Sequence, residues 1–421
     1  MAQASAIRDR PLTRDCGAAC GSITVDAALR MIRDRARPVA GVETVALAAA
    51  RGRILAGDVI SPINVPSQDS AAMDGYAIQV ADLATDGDTR LLAGGRAAAG
   101  HPLGSQAARG EAVRVFTGAP MPSGTDTVVM QEDCIREGRF VRIGPGARAG
   151  ANLRRVGDDV SAGVVALSCG QRLGPQHLAL AATIGCRELQ VRRRLKVAVF
   201  SSGDELCNPG DALGPGQVYD ANRFAIIGAL QELGCETADL GILGDDASVV
   251  RRALASAAAD NDLVLTSGGM SDGEEDHVKA SVHELGELAF WSLAVKPGRP
   301  VGMGRIGATP FIGLPGNPVA AMVAFLVIGK PLTLVVAGAR NVEPLSLSLR
   351  SGFLHSKLRG RREYLCARLD RSSGETVVQK LPRQGSHLLS SLAAADGLAV
   401  LAEDRTLVEP GDAIGFLPLS C

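Results

Sequence analysis

The chain has 421 residues, a length that suggests about three domains. Hydrophobic residues make up 46% and charged residues 21%, a balance that excludes wholesale disorder. Lys and Arg number 44 against 45 Asp and Glu, a formal net charge of −1, so no basic excess serves a nucleic acid or an anionic membrane.

Residues 1–22 read as a disordered polar tail; they contain Cys16 and Cys20 but no apolar signal core. From Ile23 to Arg33 apolar side chains recur at helical spacing. Residues 62–155 lose that periodicity. Gly, Pro, Asp and Thr punctuate short β-prone runs such as Ala112-Val-Arg-Val-Phe and Thr127-Val-Val-Met, the pattern of an inserted β-rich domain. Residues 23–61 and 156–194, on either side of it, read together as an N-terminal α+β domain, with an amphipathic stretch near His177 to Ile184.

Residues 195–335 alternate apolar runs (Leu195–Phe200, Glu236–Leu243, Asp262–Thr266, Pro310–Leu314) with helical patterns (Arg223–Leu233, Ser248–Ala259, Asp276–Leu285, Val319–Ile328). Strands without polar alternation, interleaved with helices, predict a doubly wound parallel sheet covered on both faces. The run Val319–Ile328 is too short to cross a bilayer and closes on Gly329-Lys-Pro. Residues 336–421 turn all-β with turn signals at Ser372-Ser-Gly-Glu and Glu409-Pro-Gly-Asp, suggesting a small C-terminal β-barrel. The nine cysteines show no CxxC pair and no zinc spacing, which fits a reduced, soluble, cytoplasmic protein.

Ligands of open α/β sheets bind beyond the carboxyl ends of the strands. The segments there are Ser201-Ser-Gly-Asp-Glu, Gly244-Asp-Asp, Ser267-Gly-Gly-Met-Ser-Asp-Gly-Glu-Glu-Asp and Leu314-Pro-Gly-Asn-Pro. None is a P-loop or a GxGxxG, so ATPase and dinucleotide readings lose their support. Taken singly, each loop is a turn with a helix cap. On one sheet edge they bring N–H-rich turns (Ser202, Gly203, Ser267, Gly268, Gly269, Ser271, and the run Pro315, Gly316, Asn317, Pro318) beside Glu205, Asp245 and Asp276. Anion cradles next to carboxylates suit a phosphorylated ligand held with a divalent cation, Mg²⁺ first. The chain has only six lysines; Lys296 and Arg299, in a Pro-flanked turn, form a candidate second oxyanion site. In the β-rich segment, Ser70-Ala-Ala-Met-Asp-Gly-Tyr and the stretch from Phe116 to Met130 look like binding loops of unspecified ligand. The six histidines show no ligand spacing and are read as structural or surface residues.

The segments Met73-Asp-Gly-Tyr-Ala, Phe116-Thr-Gly-Ala-Pro, Val128-Val-Met-Gln-Glu, Asn152-Leu-Arg-Arg-Val-Gly-Asp-Asp-Val, Ser202-Gly-Asp-Glu-Leu, Gln217-Val-Tyr-Asp-Ala-Asn-Arg, Thr266-Ser-Gly-Gly-Met-Ser, Val295-Lys-Pro-Gly-Arg-Pro and Gly313-Leu-Pro-Gly-Asn-Pro-Val occur in this order. Together they resemble the molybdopterin molybdenumtransferases, the MoeA-type family that includes the C-terminal domain of gephyrin. The resemblance implies a four-domain homodimer whose central domain binds molybdopterin. The implied reaction takes adenylylated molybdopterin and molybdate and releases AMP and molybdenum cofactor with Mg²⁺. It also implies transient contact with molybdopterin adenylyltransferase and molybdoenzyme acceptors. Carried over position by position, Glu205, Asp245 and Asp276 are active-site and metal carboxylates. Pro315 and Pro318 belong to an active-site loop, Lys296 is an oxyanion-binding lysine, and Asp74, Thr117 and Asp159 are functional positions of the β domain.

Two positions depart from that pattern: Ser292 and Cys366 stand where a basic residue is usual. Arg368, two residues after Cys366, falls on the same strand face and is a candidate replacement. Two alternatives remain: a molybdopterin adenylyltransferase, typically a single small domain, and a gephyrin-like scaffold without enzyme activity.

Overall fold

The computed structural model describes residues 21–270, 276–372 and 374–419. The expected tail, apart from residues 21 and 22, and the candidate Ser271 lie outside the described residues. Two compact units emerge. Of the described residues, the larger takes in those up to Glu43, Gly52–Ile54 and those from Val191 on; the smaller takes in Thr44–Arg51 and Leu55–Gln190.

The smaller unit is built on one sheet. Its strands are β1 (Gly75–Ile78), β2 (Thr89–Ala97), β3 (Glu111–Val115), β4 (Thr127–Met130), β5 (Cys134–Glu137) and β6 (Phe140–Ile143), in the order β4-β1-β3-β2-β6-β5. Alternation along each strand gives the sheet two small cores. Ala77, Val113 and Val115 pack on one, Ile78, Val141 and Ile143 on the other. Gly75 is required at the start of β1, because a Cβ there would lie 2.0 Å from the Val129 carbonyl oxygen.

In the larger unit, β7 (Lys196–Ser202), β8 (Glu236–Leu243), β9 (Leu263–Ser267), β10 (Gly286–Phe290), β11 (Gly302–Ile306) and β12 (Thr309–Leu314) are ordered β8-β7-β9-β12-β11-β10. The first four run parallel, as the sequence predicts, and all of β9 is buried. Beyond those four, β11 runs antiparallel to both of its neighbours, β12 and β10. Gly307, at φ +56°, turns β11 straight back into β12, and so short a connection can join only antiparallel neighbours. Helices α1 (Val25–Arg35), α2 (Asn222–Glu232), α3 (Ala247–Asp260), α4 (His277–Leu285) and α5 (Pro318–Ala337) accompany this sheet. One core gathers Ile32 of α1, Ile226 of α2 and Phe325 of α5 with β7 and β9; a second gathers Leu254 of α3 and Val282 of α4 with Phe200 and Phe311.

Helix α5 runs past Pro331, where the sequence suggests a stop. A π-turn over Phe325–Gly329 absorbs the proline, whose ring and missing N–H rule out a regular α-helical bond. This helix is long and apolar enough to cross a membrane, yet 83% of its most apolar window is buried inside the protein, which marks it as a core helix.

The C-terminal strands β13 (Leu347–Ser351), β14 (Arg362–Asp370), β15 (Val377–Lys380), β16 (Gly397–Leu401) and β17 (Ala413–Pro418) close into a barrel in the order β14-β15-β13-β17-β16, with β16 returning to β14. Val295–Lys296 adds a short parallel pairing on β14, with Lys296 opposite Glu363.

Candidate active site

The carboxyl ends of β7, β8, β9 and β12 border a cavity of about 980 Å³. All four loops selected from the sequence reach it, and each does so through a definable local device.

After β7, Gly203 makes room for the side chain of Glu205, whose carboxylate would lie within 2.8 Å of any Cβ at that position. The loops after β7 and β8 then clasp one another. Asp204 N–H donates to Asp245 Oδ2 at 3.2 Å, Asp245 N–H donates to Asp204 Oδ1 at 3.0 Å, and Ser202 Oγ donates to Asp245 Oδ1 at 3.3 Å. The next residue, Asp246, instead caps α3 by accepting from Ser248 N–H and Val249 N–H. The Ser248 hydroxyl and those two N–H groups hold the Asp246 carboxyl below the usual carboxylate range.

Beyond β9, Gly268 and Gly269 adopt φ +88° and +63°. A Cβ on Gly268 would stand 2.2 Å from the Ser202 carbonyl oxygen, so only glycine lets these loops approach. Ser267 Oγ donates to the Pro315 carbonyl at 3.1 Å, joining this loop to the Pro315–Pro318 turn. Asp276, immediately before α4, and Asn317 and Pro318, opening α5, complete that side of the cavity.

Two further residues belong to the site although sequence reasoning passed over them. Asn222 Nδ2 donates to Ser267 Oγ at 2.8 Å and to the Gly316 carbonyl at 2.7 Å, so one side chain at the start of α2 fixes two loops. Asp220, only 2% exposed, lines the cavity and accepts from Arg223 Nε at 2.9 Å. Arg223 in turn reaches Asp239 and Asn208. Both residues lie in the Gln217–Arg223 segment that carried the resemblance, which was the available signal.

Other sequence candidates fall elsewhere. Lys296 and Arg299 are not on the cavity wall. Lys296 Nζ stands 2.7 Å from Glu363 Oε1, a carboxylate that also meets His355 Nε2 at 3.2 Å. Arg299 Nε donates to Ser292 Oγ at 3.3 Å. Cys366 is buried in the larger unit's core, and Arg368 does not line the cavity; its Nε donates to the Ala394 carbonyl at 2.7 Å. In the smaller unit, Asp74 accepts from Thr117 N–H and from Thr117 Oγ1, each at 2.8 Å. Those two bonds hold the Asp74 carboxyl below its usual range. Asp159 is exposed, and its N–H donates to the Val65 carbonyl at 3.0 Å.

The described cavity wall carries Glu205, Asp220, Asp245 and Asp276, and no Lys or Arg. Among the described residues no three His, Cys, Asp or Glu converge closely enough to hold an ion as a closed set. What the wall offers instead is separate carboxylates around an open volume. That arrangement suits Mg²⁺, which keeps several waters and takes one or two carboxylates together with substrate phosphates.

Family models cover nearly the whole chain. The MoeA N-terminal region (domain I and II) matches residues 23–185, the probable molybdopterin binding domain matches 198–334, and the MoeA C-terminal region (domain IV) matches 351–419. A molybdopterin molybdenumtransferase of Haemophilus influenzae is 39% identical over 381 residues, 90% of this chain and 94% of that protein. Molybdopterin molybdenumtransferase 2 of Mycobacterium tuberculosis is 35% identical over 87% of this chain and 93% of its own length. The crystal structure of a molybdopterin biosynthesis MoeA protein from Pyrococcus horikoshii superposes with a TM-score of 0.81 at 27% identity, covering 94% of this chain and all of that one. With fold, sequence and domain order all in agreement, the chain belongs to the molybdopterin molybdenumtransferase family.

Proposed function

We propose that this protein inserts molybdenum into adenylylated molybdopterin, consuming molybdate and releasing AMP and molybdenum cofactor. The observation that carries the reading is the cavity itself. Glycine-rich turns face a wall of carboxylates, an arrangement suited to a phosphoanhydride bound with a divalent cation.

Glu205, Asp245 and Asp276 would hold Mg²⁺ together with the substrate phosphates. When bound, the ion would supply charge stabilisation to the phosphoanhydride. The turn at Gly268–Gly269 and the Pro315–Pro318 loop would line the phosphates with backbone groups already in place, which need no reorganisation during the reaction. The Asp204–Asp245 clasp and the Asn222 bonds keep those groups at fixed positions. The dithiolene sulfurs that replace molybdate oxygens belong to the substrate, so the reaction asks for no protein thiol. The reading extends to a homodimer working in the cytoplasm; no disulfide joins the six described cysteines, as a reducing compartment allows.

Reconstitution tests it. Incubating the protein with adenylylated molybdopterin, Mg²⁺, molybdate and a cofactor-free molybdoenzyme should release AMP and restore the enzyme's activity. Adenylylation of molybdopterin by MgATP in the absence of molybdate, with no restoration, would overturn it in favour of an adenylyltransferase.

A further inference from the structure

The charge inventory of the cavity leaves one unmatched side chain. Its described lining includes four carboxylates, no Lys or Arg, and a single histidine, His387. This histidine comes from the barrel segment, nearly 70 residues after α5 begins. Its place beside α5 is fixed by Val319 N–H donating to the Ser386 carbonyl at 2.9 Å. The anchoring bond takes up an amide of the helix's first turn, so residue 387 stands at the positive end of α5, next to the Asn317–Pro318 turn. The imidazole is exposed.

We infer that His387 contacts the anionic part of the substrate from the cavity wall beside the start of α5. The inference rests on the proposed reaction and names a residue that carries part of it. Glu205, Asp245 and Asp276 face the same volume, Asp220 is paired with Arg223, and the Tyr219 hydroxyl donates to the Asp211 carbonyl. A ring N–H of His387 can donate to a bound anion, which places a side-chain donor beside the start of α5.

The test is calorimetric titration of the full-length protein with AMP and Mg²⁺, alongside cofactor yield. Wild type should bind AMP on the order of tenfold more tightly than His387→Ala. His387→Lys should restore tight binding, a result that loss of packing cannot produce. Equal affinities of wild type and His387→Ala, with wild type making cofactor, overturn the inference alone. A wild type that neither binds AMP nor makes cofactor overturns the proposed function and the inference with it.

Discussion

In the larger unit, the loops carrying candidate residues leave one edge of one sheet and bond to each other around a single cavity. In the smaller unit, Asp74 and Thr117 bond to each other, and the described cavity there, of about 470 Å³, is lined from residues 128–133 and 144–152 without them. The difference lies in what positions each group. A parallel sheet sends every strand end to the same side, so topology alone gathers Ser202, Asp245, Ser267 and Pro315. The smaller unit's sheet is antiparallel except between β2 and β3, so most successive strand ends point to opposite sides and its candidate residues are placed by local bonds. Substitutions in the larger unit should consequently disturb several loops at once, and those in the smaller unit should stay local.

The sharpest way to break this contrast is Gly268→Ala. The new methyl group would sit 2.2 Å from the Ser202 carbonyl oxygen, on a backbone at φ +88° that L side chains avoid. Strain and clash together should cost about 3 kcal/mol or more. The expected outcome is a lowered melting transition and loss of AMP release. A protein of wild-type stability and activity would show that the loops do not need this approach.

Removing a carboxylate should spare the fold and strike the chemistry. Asp276→Ala should lower AMP release by on the order of 10²-fold, as loss of one electrostatic catalytic group does, with an unchanged melting temperature. Unchanged release would take Asp276 out of the reaction.

The place of these two positions on the cavity wall is legible in the sequence. Gly268 and Asp276 follow strands whose unbroken apolar character announces a parallel sheet, and the carboxyl-end rule leads directly to them. Asn222 and His387 were passed over for different reasons. Asn222 acts through bonds to Ser267 and Gly316, a contact decided by how α2 starts rather than by any local spacing. His387 arrives from the barrel through the Val319–Ser386 bond, a long-range pairing that no periodicity encodes. Pro331 misled in the other direction, because its stop signal was absorbed by a π-turn inside a buried helix.

Lys296 separates motif from geometry. Its ammonium is a donor to Glu363, which is 3% exposed and has His355 as its other donor. Lys296→Ala would leave a buried carboxylate with one donor, at a cost of about 1–3 kcal/mol. The expected result is a lower melting temperature and a molybdate requirement raised by less than about threefold, since a side chain off the cavity wall gives up little direct attraction. A rise beyond about tenfold at unchanged stability would return the lysine to the oxyanion site.

The smallest effect is expected in the smaller unit, at Thr117→Val. The substitution deletes one of two bonds to Asp74 and keeps the first, from the Thr117 N–H. Both bonds favour the charged carboxylate, so losing the hydroxyl should move the Asp74 titration upward, part of the way to its ordinary value. The sign for stability follows from linkage. A carboxyl depressed in the folded state stabilises the fold above its unfolded pKa, and that contribution fades as pH falls through the folded pKa. Thr117→Val should thus differ from wild type slightly at neutral pH and match it in strong acid. Because Asp74 is open to solvent, screening keeps the difference small. The measurement is the Asp74 carboxyl chemical shift against pH, with melting temperatures at pH 7 and pH 2.5. A titration that does not move would mean the backbone N–H alone sets Asp74. A melting temperature that collapses at neutral pH would mean the pair supports the whole sheet, and the contrast between a cooperative edge and a local bond would fail.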